Sequence, residues 1–327
     1  MSDNIRIAFN RLFEGDMNAE EMREFLLGLQ LNEETSVESI AVAAEVMRSH
    51  AITLPISEKL REKSMDIVGT GGDKIGSFNI SSTVAILVAA CGGYVAKHGS
   101  RSITSKSGSA DLLEVLGINL NMSLHKSAKL LEEVGFTFMF AANHHPAMKF
   151  IVPVRKTIPD KTIFNILGPL TNPAGVKKSM LGVFDKVFLP KIAQALQQNG
   201  SKSHLVVSSK EGMDEISISD ITYAAELKEG VNHEFIIDPQ EYGIQKAPLS
   251  AIIGGDAKQN AQILYNIFDN NATEAQRDIV LLNAGASLMV SGLVSDIPDG
   301  IEMAKEALLK GHAKEKLRQI VEISNKL

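Results

Sequence analysis

No tryptophan occurs in the chain, and cysteine occurs once, at Cys91. A single cysteine excludes an internal disulfide framework and fits a reducing cytoplasm, the expected location. Its place in Ala-Ala-Cys-Gly-Gly, at the end of an apolar helical pattern, favours inert packing over nucleophilic chemistry. No apolar run approaches the ~20 residues of a membrane span. Met1-Ser-Asp-Asn lacks the basic-then-apolar form of a secretion signal. Positive charge is also short: 33 Lys and Arg against 39 Asp and Glu leave a formal net charge of −6. Nonspecific attraction to nucleic acid is therefore not expected. Basic residues gather instead around 97–106 and 149–161, as a small anionic substrate requires. The rest is ordinary globular composition, 44% apolar and 22% charged over 327 residues, enough for two domains or one large one. There is no internal repeat.

The first 60 or so residues carry helical patterns. Asn18 with Glu21, and Thr35 with Glu38, have capping-box spacing ahead of Met22, Phe25, Leu26, Leu29 and of Val37, Ile40, Ala41, Ala44. Pro55 marks a break. From Met65 short β-rich runs (65–68, 94–96, 136–140, 180–184, 205–208) alternate with helical ones (81–91, 110–116, 124–134, 189–198). This alternation predicts an α/β fold with a mostly parallel central sheet flanked by helices. The C-terminal third returns to long helices.

Two loops carry the chemistry. The first reads Asp66-Ile-Val-Gly69-Thr-Gly71-Gly72-Asp73-Lys74-Ile-Gly76-Ser77-Phe-Asn79-Ile80-Ser81-Ser82. A strand running into glycines and then a helix start offers bare N–H donors and a partial positive charge, a seat for a phosphate. It is not a standard nucleotide loop. A dinucleotide fingerprint from Gly69 needs glycine at Lys74, and a Walker loop from Gly71 needs Lys-Ser/Thr where Ser77-Phe78 stand. Asp73 suits a ligand that also carries hydroxyls or a metal. The second loop follows the next strand: Lys97-His98-Gly99-Ser100-Arg101-Ser102-Ile103-Thr104-Ser105-Lys106-Ser107-Gly108-Ser109, with Ser109 as the expected helix cap. Cations and hydroxyls after a strand suit a more highly charged anion such as a diphosphate. Open α/β sheets bind ligands beyond their strand C-termini, so two such loops outweigh a plain solvated turn.

The order of motifs resembles the anthranilate phosphoribosyltransferases. It continues through His144-His145-Pro146-Ala147-Met148-Lys149, Thr162 to Pro173, Gly212-Met213-Asp214-Glu215-Ile216-Ser217, Gly254-Gly255-Asp256-Ala257 and Leu282-Asn283-Ala284-Gly285-Ala286. The resemblance implies transfer of a ribosyl 5-phosphate from phosphoribosyl diphosphate (PRPP) to the amine of anthranilate, with release of diphosphate. It implies a helical domain over 1–64, to which a segment near 150–178 returns, and an α/β catalytic domain over 65–327. It also implies a homodimer formed through the helical domain.

The same resemblance assigns residues. Gly69, Gly72, Asp73, Ser77, Asn79, Ile80, Ser81 and Ser82 would hold PRPP, together with Lys97, His98, Gly99, Ser100, Arg101, Ser102, Ile103, Thr104, Ser105 and Ser109. Ser81, Asp214 and Glu215 would bind Mg2+, two ions per site. Gly69, Ser100, His145 and Arg155 would meet anthranilate, Arg155 through its carboxylate, with His144 bordering the pocket. Lys97 or Arg101 would face the departing diphosphate. An aryl amine is unprotonated at neutral pH, so positioning and electrostatics rather than a strong base would supply the rate. Three positions depart from the family pattern: Ser100 for Asn, Lys74 for a common Gly, and Pro159-Asp160-Lys161 for Leu-Gly-x-Arg. A pyrimidine nucleoside phosphorylase would share the fold but needs neither the acidic pair nor Arg155. A non-catalytic paralogue binding nucleic acid fits poorly with intact loops and an acidic chain.

Overall fold

A computed structural model describes residues 2–102 and 106–327. Seven strands form one sheet in the order β3-β2-β1-β4-β5-β6-β7. They are β1 Ser64–Gly69, β2 Tyr94–Gly99, β3 Phe136–Phe140, β4 Lys178–Gly182, β5 Ser203–Ser209, β6 Thr222–Lys228 and β7 Val231–Ile237. The first five run parallel and the last two antiparallel. The expected α/β class is the one observed, and helices Leu124–Val134 and Leu189–Gln198 fall where their apolar period places them.

The topology locates the site. From β1 the chain crosses to β2 and then β3, and later returns to lay β4 on the other side of β1. Strand order therefore reverses between β1 and β4, and a crevice opens beyond their C-terminal ends, where Gly69 pairs with Gly182. Helix Ile80–Ala90, the β1–β2 crossover, is buried along nearly its whole length. Its composition explains this: nine of its eleven residues are buried, so it needs apolar neighbours all round. It packs with Met65, Ile67, Val95 and Met180 of the sheet and with helices Glu274–Ser291 and His312–Lys326. The opposite sheet face (Leu181, Val183, Val206, Ala225) packs with Phe9, Leu26 and Ile40 of the N-terminal helices, and with Ile151 and Phe164. Each such fully buried side chain contributes about 1.5–3 kcal/mol.

Local expectations need three corrections. Residues 222–237 form a β-hairpin rather than part of the helical C-terminal third. Its two-residue turn, Glu229-Gly230, has φ of 53° and 79°, the conformation that matches strand twist. The cap of helix Val37–Ser49 is Ser36, which accepts from Ser39 N–H, while the Thr35 hydroxyl accepts from Asn32 N–H. The cap of helix Ser109–Val115 is Gly108, whose N–H donates to the Asp111 carboxylate at 2.8 Å, so Ser109 lies one residue inside.

Candidate active site

Beyond β1 the backbone enters the left-handed region at Gly71, Gly72, Lys74 and Gly76, curling the first loop into a cup. Asp214, on the turn after β5, closes the cup from the sheet side. Its carboxylate accepts from Gly71 N–H at 2.7 Å. A β-carbon on Gly69 would stand 2.1 Å from Asp214 Oδ2, so only glycine admits this approach. Glu215 accepts from Ser81 N–H at 3.1 Å, at the N-terminus of helix Ile80–Ala90. Burial pushes both carboxyls above the usual range; the charge of Asp73 adds to the effect on Asp214, and that of Asp214 to the effect on Glu215. Asp73 is raised by burial too.

Lys97, 2% exposed, is the cation buried beside this pair. Its ammonium donates to Ile67 C=O and, at 3.2 Å, to Ser81 Oγ. Burial lowers its pKa, and Asp66, Glu215 and Asp214 oppose the shift. One buried lysine against several carboxyls leaves the pocket short of positive charge. Asp214, Glu215 and Ser81 Oγ offer the hard oxygen donors Mg2+ takes, and Mg2+ keeps waters and shares substrate phosphates. Among the described residues no group of three His, Cys, Asp or Glu side chains forms a ready cage. The residues fit the ion.

The second loop begins at His98, whose Nδ1 lies 3.2 Å from Gly168 C=O. A carbonyl only accepts, so Nδ1 carries the proton and Nε2 is bare; Nε2 has no partner among the described residues. His98 N–H donates to Asp66, and so does Asn172 Nδ2, at 2.7 Å. Burial raises the Asp66 carboxyl to about 6. The Arg101 guanidinium pairs with Glu114 at 2.6 Å and Asp111 at 3.1 Å, on the helix that follows its own loop. Ser100 Oγ donates to Arg101 C=O, and Ser109 Oγ to Ser100 C=O. Ser102 N–H donates to Asp111. Ile80 and Ser82 are buried in the helix start, so Ile80 faces the cup with its backbone alone. Ser77 forms a bridge with Ile253. Ile103, Thr104 and Ser105 lie outside the described residues.

His144, His145 and Arg155, expected beside anthranilate, sit on the segment between β3 and β4. The His145 and His98 rings are 5.2 Å apart; burial lowers them to about 4 and about 3, so both are neutral. His144 Nδ1 contacts Ile52 C=O at 2.6 Å. Arg155 stacks over Phe164 at 5.3 Å and has no carboxylate partner among the described residues. Lys161 Nζ lies 3.2 Å from the centre of the Phe184 ring and 4.0 Å from where a Gly72 β-carbon would be.

Residues 61–314 match the model of the glycosyl transferase family, a/b domain. An anthranilate phosphoribosyltransferase of Laribacter hongkongensis is 44% identical over 325 residues, 99% of this chain and 94% of that one. The chain belongs to the anthranilate phosphoribosyltransferase family. The Thermus thermophilus enzyme superposes with a TM-score of 0.93 at 35% identity, covering 99% of this chain and 96% of that one. The Saccharomyces cerevisiae enzyme in complex with PRPP and Mg gives 0.87 at 27% identity, with 100% and 93% covered.

Part of this site's support shows only in three dimensions. Gly182, at the end of β4, gives no motif signal, yet a β-carbon there would lie 1.6 Å from Asp214 C=O. Asn283 bonds both N–H and C=O of Ile216 and so fixes the segment that carries the acidic pair. Asp66 opens the first loop's run, but its partner Asn172 is 106 residues away.

Proposed function

We propose that this chain transfers the 5-phosphoribosyl group of PRPP to the amine of anthranilate, giving N-(5-phosphoribosyl)anthranilate and diphosphate, a step of tryptophan biosynthesis. One observation carries this reading: a glycine cup, a buried lysine and a buried acidic pair converge on the sheet's switch point. The cup and the N-terminus of helix Ile80–Ala90 receive PRPP through backbone N–H groups. Asp214, Glu215 and Ser81 would hold magnesium, two ions per site, which would supply positive charge against the diphosphate. Lys97 keeps the Ser81 hydroxyl turned and adds fixed positive charge beneath the cup. Arg101 reaches the diphosphate only by exchanging Glu114 and Asp111 for it.

Arg155 is a partly desolvated guanidinium without a carboxylate partner among the described residues, suited to a two-point grip on that of anthranilate. Neutral His98 and His145 border the aromatic ring without competing for that charge. The aryl amine arrives with its lone pair free, so no side chain has to remove a proton before attack. The site's work is to align amine and anomeric carbon and to keep water out. Exposed Ile7, Ile52 and Phe150 support pairing of the chain with a second copy through its N-terminal side, and the single cysteine supports a cytoplasmic setting.

Purified protein mixed with PRPP, magnesium and anthranilate should quench anthranilate fluorescence, with all three required. Undiminished turnover in excess chelator, or cleavage of a pyrimidine nucleoside by phosphate instead, would overturn the proposal.

A further inference from the structure

The motif Gly254-Gly255-Asp256-Ala257 has no task in this scheme. It packs against the back of the first loop: Gly254 N–H donates to Gly76 C=O at 2.9 Å, and Phe78 N–H to Ile252 C=O. One turn into the helix that follows, Asn260 is 3% exposed and stands between this motif and Asn79. Gly255 N–H lies 2.7 Å from Asn260 Oδ1, and Asn260 Nδ2 lies 2.8 Å from Asn79 Oδ1. Asn79 Oδ1 also accepts from Ser107 Oγ at 3.1 Å, and Asn79 Nδ2 donates to Ser107 C=O at 3.2 Å.

These bonds leave no freedom in the two carboxamides. A backbone N–H can only donate, so the Asn260 atom facing Gly255 is oxygen. Its nitrogen therefore faces Asn79, and the Asn79 atom meeting it must accept. That leaves the Asn79 NH2 with one proton on Ser107 C=O and a second without an acceptor among the described residues. We propose that Asn260 is a positioning residue for PRPP: it fixes which end of the Asn79 carboxamide faces the donor loop, so that phosphate meets N–H rather than oxygen. The inference rests on the function proposed above, in which Asn79 belongs to the PRPP seat. It also gives the Gly254-Gly255 segment its role, as the backbone donor that sets the relay.

The test compares two variants with the wild type in the anthranilate fluorescence assay. Asn260→Asp keeps the acceptor for Gly255 N–H but turns an acceptor on Asn79 Oδ1, which drives the Asn79 amide round. Asn260→Ala removes the constraint without inverting it. The KM for PRPP should rise on the order of tenfold in Asn260→Asp and about threefold in Asn260→Ala. The KM for anthranilate should stay within twofold in both. Equal rises for both substrates, a larger PRPP effect in the alanine variant, or no change would overturn the inference. Should the aspartate variant not fold, the alanine variant decides alone by whether only the PRPP constant moves. A wild type inert toward anthranilate and PRPP would count against the proposed function instead.

Discussion

The carbonyl oxygen of Asp214 occupies the place a β-carbon on Gly182 would take, 1.6 Å away. This overlap lets the acidic pair lie flat on the end of the sheet. Gly182→Ala should push Asp214 outward by about 1 Å or more. A shift of that size costs on the order of 10²-fold in turnover and about 1–3 kcal/mol in stability. Steady-state kinetics at several magnesium concentrations would check it: the half-saturating magnesium should rise, and an unchanged value would remove the glycine's role.

Arg155→Ala should mainly raise the KM for anthranilate. Loss of a charged hydrogen-bond pair worth roughly 1.5–3 kcal/mol corresponds to about 10–100-fold. The KM for PRPP should hold, because Arg155 makes no hydrogen bond to either loop among the described residues. Arg155→Lys should recover only part of the loss, since a point charge cannot grip a carboxylate at two points.

Lys74 sits at φ 62° in the middle of the first loop, where an L side chain is strained. Lys74→Gly should relieve about 1 kcal/mol of that strain, seen as a higher midpoint of thermal unfolding. The exposed lysine adds a cation beside the cup, so the variant should also bind PRPP somewhat more weakly at low salt. That difference should shrink as salt is added.

His204 on β5 lies between Ser201 and Asn232 and is lowered to about 4 by burial. Its folded pKa is below the ordinary value near 6.5, so the unfolded chain takes up its proton first as pH falls. The folded state is favoured fully above about pH 6.5 and loses ground from there toward pH 4, by at most ~1.4 kcal/mol per pH unit. His204→Gln should be less stable than the wild type at pH 8, having lost its bonds. The gap should narrow between pH 6.5 and 4.5 in denaturant titrations; a gap independent of pH would rule out a neutral buried imidazole.

What the sequence revealed followed from short-range rules. Asn18 and Glu21 form the capping box their spacing predicts. The glycines of the first loop take positive φ as their clustering suggests, and the β-rich runs pair in parallel through their helical crossovers. What stayed hidden depends on distant contacts. The 222–237 hairpin turns on Glu-Gly, which lacks the Asn or Asp that usually signals such a turn. The pairing of Arg101 with Glu114 could not be read from a loop whose lysine and arginine both looked free to meet an anion. Gly182 is an ordinary strand-end glycine until the chain returns with Asp214 thirty-two residues later.

Residues 29–31 and 161–163 are stitched by Leu31 N–H to Lys161 C=O and Ile163 N–H to Leu29 C=O, at 2.8 and 2.9 Å. Helix Met148–Arg155 packs against helix Ala19–Leu27 just before that seam. Arg155 and Lys161 are thus anchored to the amino-terminal helices, while Lys97 and the acidic pair are rooted in the sheet. In the proposed function the two substrates would thus be held by different parts of the molecule, so a tilt between them would change the gap between nucleophile and sugar without loosening either grip.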